Sequence, residues 1–340
     1  MSQIAAIYGC EGLSLGKKER AFFADADPWG FILFKRNCED RRQISALCAD
    51  LRDTVGRHAP IFIDQEGGPV ARLRPPHWRE YPAAAPFGEL YAMDRDAALE
   101  ACRLKHRLIA HDLLEVGVNA DCAPVLDLPQ PGAHEIIGKR AFSRDPDVIA
   151  ALGGAALDGL EAGGVQGVIK HIPGHGRATA DSHLSLPTVE AAADAMAPTD
   201  FTPFKALAAR APMAMTAHIL YSSLDPANPA TLSESIISDV IRGDMGFDGL
   251  LMTDDLDMKA LTGSLAGKTA AALAAGCDIA LHCSGDLKAM QKVASGCEVL
   301  TGDARGRADR AAAAPDPEDF DPEAGAARLK ELLTPVEAMA

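Results

Sequence analysis

The 340-residue chain carries 33 Lys and Arg against 48 Asp and Glu, a formal net charge of −15. Phosphate binding needs clustered Lys and Arg, so this balance argues against a nucleic-acid partner; 48% hydrophobic and 24% charged residues suit a globular chain. The start, Met1-Ser2-Gln3-Ile4, has no basic stretch followed by an apolar run, and no apolar segment reaches the length of a membrane span, so a cytoplasmic chain without a membrane partner is expected.

Short apolar or β-branched runs alternate with longer helix-like segments. The runs fall at 4–8, 30–34, 60–63, 118–125, 165–169, 213–216, 249–252 and 278–281. Helical segments, most of them rich in Ala or Leu, are expected at 41–55, 96–115, 147–162, 204–209, 234–242 and 259–275. Eight strands, each followed by a helix, predict a single closed (β/α)8 barrel spanning residues 1–305. A doubly wound open sheet would have fewer strands, and no strand here leads into a G-x-G-x-x-G turn. Polar residues gather just after the strands, at Lys35-Arg36-Asn37, Asp64-Gln65-Glu66, Asp127, Lys170-His171, His218, Asp254-Asp255 and His282, where barrel enzymes place their chemistry. Residues 306–340 are expected to be an acidic, Ala- and Pro-rich strap. It is flexible over 311–324 and ends in a short helix at 328–333. The eight cysteines form no CxxC pair, and Cys48, Cys102, Cys122 and Cys277 sit in apolar runs, so reduced buried thiols are expected.

Two segments carry the chemistry. The stretch 170–183 follows the fifth run and holds too much Gly and polar residue to continue as a helix. Within it Asp181 and His183 are two apart, on one side of an extended chain, where the carboxylate would raise the imidazole pKa and fix its tautomer. The second segment, 246–256, ends an apolar strand with Asp254 and Asp255. Adjacent residues face opposite ways, so one of the two is expected in a pocket. Asp254 is assigned to the chemistry, as a carboxylate able to capture an oxocarbenium-like centre. Asp255 is assigned to capping a helix from Asp257 onward. Asp64 would accept hydrogen bonds from sugar hydroxyls. Arg72 and Arg140 would donate to hydroxyls or an acetamide carbonyl. Lys170 and His171 end a buried strand, where an unpaired charge is costly, so they face a ligand or an internal partner.

These motifs make the chain resemble family 3 glycoside hydrolases, in particular the bacterial β-N-acetylglucosaminidases of peptidoglycan recycling. The resemblance lies in 30–37, 63–68, 123–127, 138–142, 170–183 and 247–256, and its most specific element is K-H-x-P-G-H-G-x-x-x-x-D-S-H. It implies a retaining enzyme in which Asp254 is the nucleophile, His183 the acid/base and Asp181 its partner. Asp64, Arg72, Arg140, Lys170 and His171 would hold N-acetylglucosamine. The implied substrate is a saccharide, an N-acetylglucosaminyl-anhydro-N-acetylmuramyl peptide, taken by a monomer with no cofactor and no metal. Pro69 departs from the polar or basic residue of many relatives, and the acidic tail has no counterpart. Two rivals remain. A metal-dependent barrel hydrolase would gather His171, His175, His183, His218 and Asp254, although Pro173-Gly174 breaks any helix stacking the first two and the first strand lacks H-x-H. A sugar-binding barrel without turnover would keep the pocket alone.

Overall fold

The computed structural model describes residues 3–132, 137–178, 180, 182, 184–313 and 315–338. Eight strands form the barrel: β1 (Ile4–Gly9), β2 (Pro28–Leu33), β3 (Ile61–Ile63), β4 (Ala120–Asp121), β5 (Gln166–Ile172), β6 (Met213–Thr216), β7 (Leu250–Asp255) and β8 (Ile279–His282). They pair in chain order, all parallel, and β8 closes on β1. Residues alternate along each strand between two apolar environments. Ala5, Ile7, Trp29, Phe62, Val168, Met213, Leu250 and Ile279 form one cluster. Their neighbours Ala6, Tyr8, Phe31, Ile61, Ile169, Ala214 and Leu251 join helix residues in another. The first cluster fills the barrel, and the second glues the sheet to its helical jacket. All eight expected strands are present, so the (β/α)8 expectation holds.

Local chemistry ends the helices of the jacket. Asp40 caps α2 (Arg41–Val55) by accepting from the Gln43 amide, and Gly56 stops it at φ 66°. Asp94 caps α4 (Arg95–Leu114) and Asp145 caps α5 (Pro146–Ala162). Among the described residues no helix is long and apolar enough to cross a membrane. The eight cysteines are free thiols, and Cys48, Cys102, Cys122 and Cys277 are buried.

The tail departs from expectation. A helix over Gly302–Ala312 runs through the boundary drawn at 305. The following segment is tied down: the Glu318 amide donates to the Ala162 carbonyl, Arg107 donates to the Glu318 carbonyl, and the Arg107 guanidinium lies 4.4 Å from the Phe320 ring. The last helix spans Pro322–Glu337 and buries Leu329, Leu332, Leu333 and Val336, packing on α4 and on α3 (Ala85–Met93). The expected helix at 328–333 was therefore too short. Its spacing of i, i+3, i+4 and i+7 is the apolar stripe that overrides an acidic composition.

Candidate active site

Strand alternation places the site. Leu250 and Met252 face the barrel interior, so Asp254, four and two residues on, emerges from the same face at the C-terminal mouth. There the described residues enclose a cavity of about 810 Å³ lined by Asp64, Glu66, Arg72, Arg140, Lys170, His171 and Asp254, among others. Six of the eight residues expected from sequence thus share one cavity. Asp181 and His183 lie outside the described residues.

The floor is a charge network. Lys170 Nζ donates to Asp64 Oδ1 at 2.9 Å and lies 2.7 Å from Glu66 Oε1. Arg72 Nη2 donates to Asp64 Oδ2 at 2.9 Å, and Arg140 grips Glu66 in a fork, Nε to Oε2 at 2.9 Å and Nη2 to Oε1 at 2.8 Å. Burial alone would raise the Glu66 pKa, but Lys170 and Arg140 overcome it and hold the carboxyl at about 2. Burial likewise opposes ionisation of Asp64, yet Lys170 and Arg72 keep it below the usual carboxylate range. Each Asp64 oxygen has a second lone pair to offer a hydroxyl.

The loop after β3 is built to present these groups. The Gln65 side chain accepts from the Arg72 and Leu73 amides and donates to the Leu73 carbonyl, fixing the return that carries Arg72. At Gly67, φ is +90°, and a Cβ would stand 2.5 Å from the Pro82 carbonyl oxygen, so no other residue fits.

A second group surrounds Asp127, which is fully buried. His171 Nδ1 donates to Asp127 Oδ2 at 2.7 Å, and the other oxygen accepts the His171 and His175 amides at 3.1 and 2.7 Å. Burial would raise the Asp127 pKa, but His171 and these bonds hold it at about 2. The tautomer that donates from Nδ1 leaves His171 Nε2 as the ring's other polar atom, and His171 lines the cavity. Burial lowers the His175 pKa to about 4, so this ring is neutral at pH 7.

Asp254 Oδ1 accepts the Asp255 amide at 2.8 Å. Asp255 does not cap a helix, because the next one starts at Leu265 and is capped by Ser264. Its Oδ1 instead accepts the Asp257 and Cys283 amides at 3.1 and 3.2 Å, joining the β7 and β8 loops. It also lines the cavity, and burial raises its pKa to about 6. Two of the donors that the metal reading would gather are engaged with other partners. His218 uses both ring nitrogens, Nδ1 with Thr231 Oγ1 and Nε2 on the Asp255 carbonyl. His171 Nδ1 is held by Asp127, and among the described residues no group of three His, Cys, Asp or Glu could hold a metal ion.

Two residues were missed as site members. Glu66 follows Asp64 by two, the spacing that puts both on one side of an extended chain. Asp127 was marked as a strand-end acid, but only its spatial link to His171 gives it a role.

Lys170→Met is expected to destabilise the fold by about 3–5 kcal/mol, because it removes the buried ammonium that Asp64 and Glu66 share and leaves each with a single guanidinium. Urea titration at pH 7 measures this. The carboxyls have depressed folded pKa values, so the network contributes fully above the unfolded value of about 4 and is lost as pH falls through the folded values. The gap between wild type and variant should therefore narrow in acid. A gap below about 1 kcal/mol at pH 7, or one independent of pH, would contradict the network's role.

The profile of the "Glycosyl hydrolase family 3 N terminal domain" matches residues 8–309. This chain belongs to that family. A relative named "Beta-hexosaminidase" from Aromatoleum aromaticum is 38% identical over 276 residues, covering 80% of this chain and 77% of the relative. The crystal structure of native NagZ from Neisseria gonorrhoeae superposes with a TM-score of 0.89 at 29% identity, covering 98% of this chain and 99% of that one. The same Neisseria protein in complex with N-trifluoroacetyl-D-glucosamine gives a TM-score of 0.89 at 28% identity with the same coverage. Family membership makes the chain a glycoside hydrolase, and it does not favour the alternative of a metal-dependent barrel hydrolase.

Proposed function

We propose that this chain is a retaining exo-β-N-acetylglucosaminidase. Asp254 is the nucleophile, His183 the acid/base and Asp181 the partner of His183. The observation that carries the reading is the placement of Asp254 at the cavity mouth above a floor of charge-paired hydrogen-bonding groups. Further support comes from the Neisseria protein, whose complex holds an N-acylated glucosamine.

In the first step Asp254 attacks the anomeric carbon and the bond to the leaving oxygen breaks as His183 protonates that oxygen. In the second, His183 takes a proton from water, which displaces Asp254 from the sugar and restores both residues. Asp64, Arg72 and Lys170 bind hydroxyls, and Arg140 and His171 flank the 2-acetamido group. The substrate of this reading is an N-acetylglucosaminyl-anhydro-N-acetylmuramic acid fragment, with or without its stem peptide, cleaved in the cytoplasm by a monomer. Paired 4-nitrophenyl glycosides test it. The β-N-acetylglucosaminide should exceed the β-glucoside in kcat/KM by about 10²-fold or more, because the glucoside leaves buried polar partners of the acetamide unmet. Equal rates would move the chain to a broader glucosidase class.

A further inference from the structure

We infer that His175 is a positioning residue for proton transfer: through one hydrogen bond to Ser182 it tethers the stretch of chain that carries Asp181 and His183. The inference rests on the reading of His183 as acid/base, and the experiment below separates the two.

The chain that leaves β5 is pinned residue by residue as far as Arg177. The Tyr221 hydroxyl donates to the Gly174 carbonyl at 2.7 Å, and the His175 amide donates to Asp127 Oδ1 at 2.7 Å. The Gly176 carbonyl accepts the Gln130 amide at 3.0 Å, and a Cβ at Gly176 would stand 1.8 Å from the Leu128 carbonyl oxygen. Arg177 donates to Asp200 Oδ2 at 2.7 Å and to Thr199 Oγ1 at 3.0 Å. The chain is held again where Thr188–Val189 pairs with Leu220–Tyr221. Between these anchors the apolar side chains of Leu184 and Leu186 are exposed, so core packing does not hold them. Ser182 differs from both. It is 3% exposed, and its Oγ lies 3.2 Å from His175 Nε2.

The imidazole is explained by that bond. His175 is buried, and its Nδ1 has no hydrogen-bond partner among the described residues. A hydrocarbon side chain would fill the same space without the cost of an unmet nitrogen, so the nitrogen that is used accounts for the residue type. The ring is itself aimed from below, because Asp127 clamps the His175 amide with the same carboxylate that holds the His171 ring. One buried acid thus orders a side chain on the sugar side of the cavity and the tether of the acid/base stretch.

Ser182 stands between Asp181 and His183 in the sequence. Consecutive Cα atoms are about 3.8 Å apart, so tethering Ser182 limits the travel of both neighbours. A general acid must come within hydrogen-bond reach of the oxygen it protonates, and a misplacement of about 1 Å can cost up to about 10²-fold. Attack by Asp254 has no such dependence, because β7 carries that carboxylate.

The test uses the whole protein with 2,4-dinitrophenyl and phenyl β-N-acetylglucosaminides, of which only phenolate needs a proton to depart. A neutral hydrogen bond shifts an equilibrium by about two- to twelve-fold. Ser182→Ala and His175→Ala should therefore each lower kcat/KM for the phenyl glycoside by about ten-fold and for the dinitrophenyl glycoside by less than about two-fold. The glycosyl–Asp254 adduct should build up on the activated substrate, and azide should speed its turnover. His175→Gln, which can place an amide nitrogen near the position of Nε2, should keep more of the phenyl rate than His175→Ala. The double variant should be about as slow as the slower single one, since both lose the same bond. Ser182→Ala deletes one oxygen and leaves the Asp127 clamp intact, so the test stands even where His175→Ala folds poorly. Equal slowing of both glycosides in Ser182→Ala, or single losses that multiply in the double variant, overturns the tether. If His183→Ala separates the two glycosides and Ser182→Ala does not, the tether alone falls. If His183→Ala fails to separate them, the acid/base reading falls and takes the tether with it.

Discussion

Asp254→Ala is expected to lower kcat/KM by about 10⁴-fold or more, equally for activated and unactivated glycosides. The residue leaves β7 on the face that fills the barrel interior below it. Asp255 is held to the Asp257 and Cys283 amides. Without Asp254 the first displacement has no carboxylate to form the glycosyl ester, and no leaving group, however good, restores it. The measurement is kcat/KM for dinitrophenyl and saccharide leaving groups, with intact-protein mass spectrometry for the adduct. Asp255→Ala serves as the comparison, since it perturbs the β7 and β8 loops without deleting the attacking group. A covalent adduct on Asp254→Ala, or a larger loss in Asp255→Ala, would transfer the role to another residue.

His183→Ala should separate by leaving group instead. Proton transfer by a placed acid is worth about 10²- to 10⁴-fold, so a saccharide leaving group should slow by that factor. Dinitrophenolate needs no proton and should keep much of its first-step rate. Hydrolysis of the ester still needs a base, so a glycosyl–Asp254 adduct should accumulate and be seen by mass spectrometry, and azide should rescue turnover because it attacks without losing a proton. Asp181→Asn should give a milder form of the same pattern, since it weakens and misorients the imidazole without removing it. Equal slowing of both leaving groups with no trapped adduct would reject His183 as the acid/base.

The barrel was legible because a buried parallel strand and an amphipathic helix leave different periods in the sequence, and eight alternations leave few architectures. Single strands were less legible. Residues 118–125 read as one run, yet β4 is only Ala120–Asp121, since Pro124 offers no amide and pairing resumes at Val125 with Lys170. The carboxylate that would react was legible from parity alone, through Leu250, Met252 and Asp254. The partners were not. That Lys170 would span Asp64 and Glu66, or that Asp127 would orient His171, depends on the lateral order of β3, β4 and β5 in the sheet, which brings residues 106 and 44 positions apart into contact. Asp255 was misassigned because a carboxylate before a polar turn looks the same whether it caps a helix or, as here, links two loops.

Lys170 belongs to one strand and both its carboxylates to the loop of another two places round the sheet, while Asp254 arrives from a third. No contiguous fragment of the chain holds the pieces of this site. A half-barrel emerging during synthesis would carry Asp64 and Glu66 without Lys170 and Asp254, so the nascent chain is expected to be catalytically silent until nearly all of it has been made and the ring of strands has shut. Enzymatic competence is in this sense a property of the circuit rather than of any arc within it.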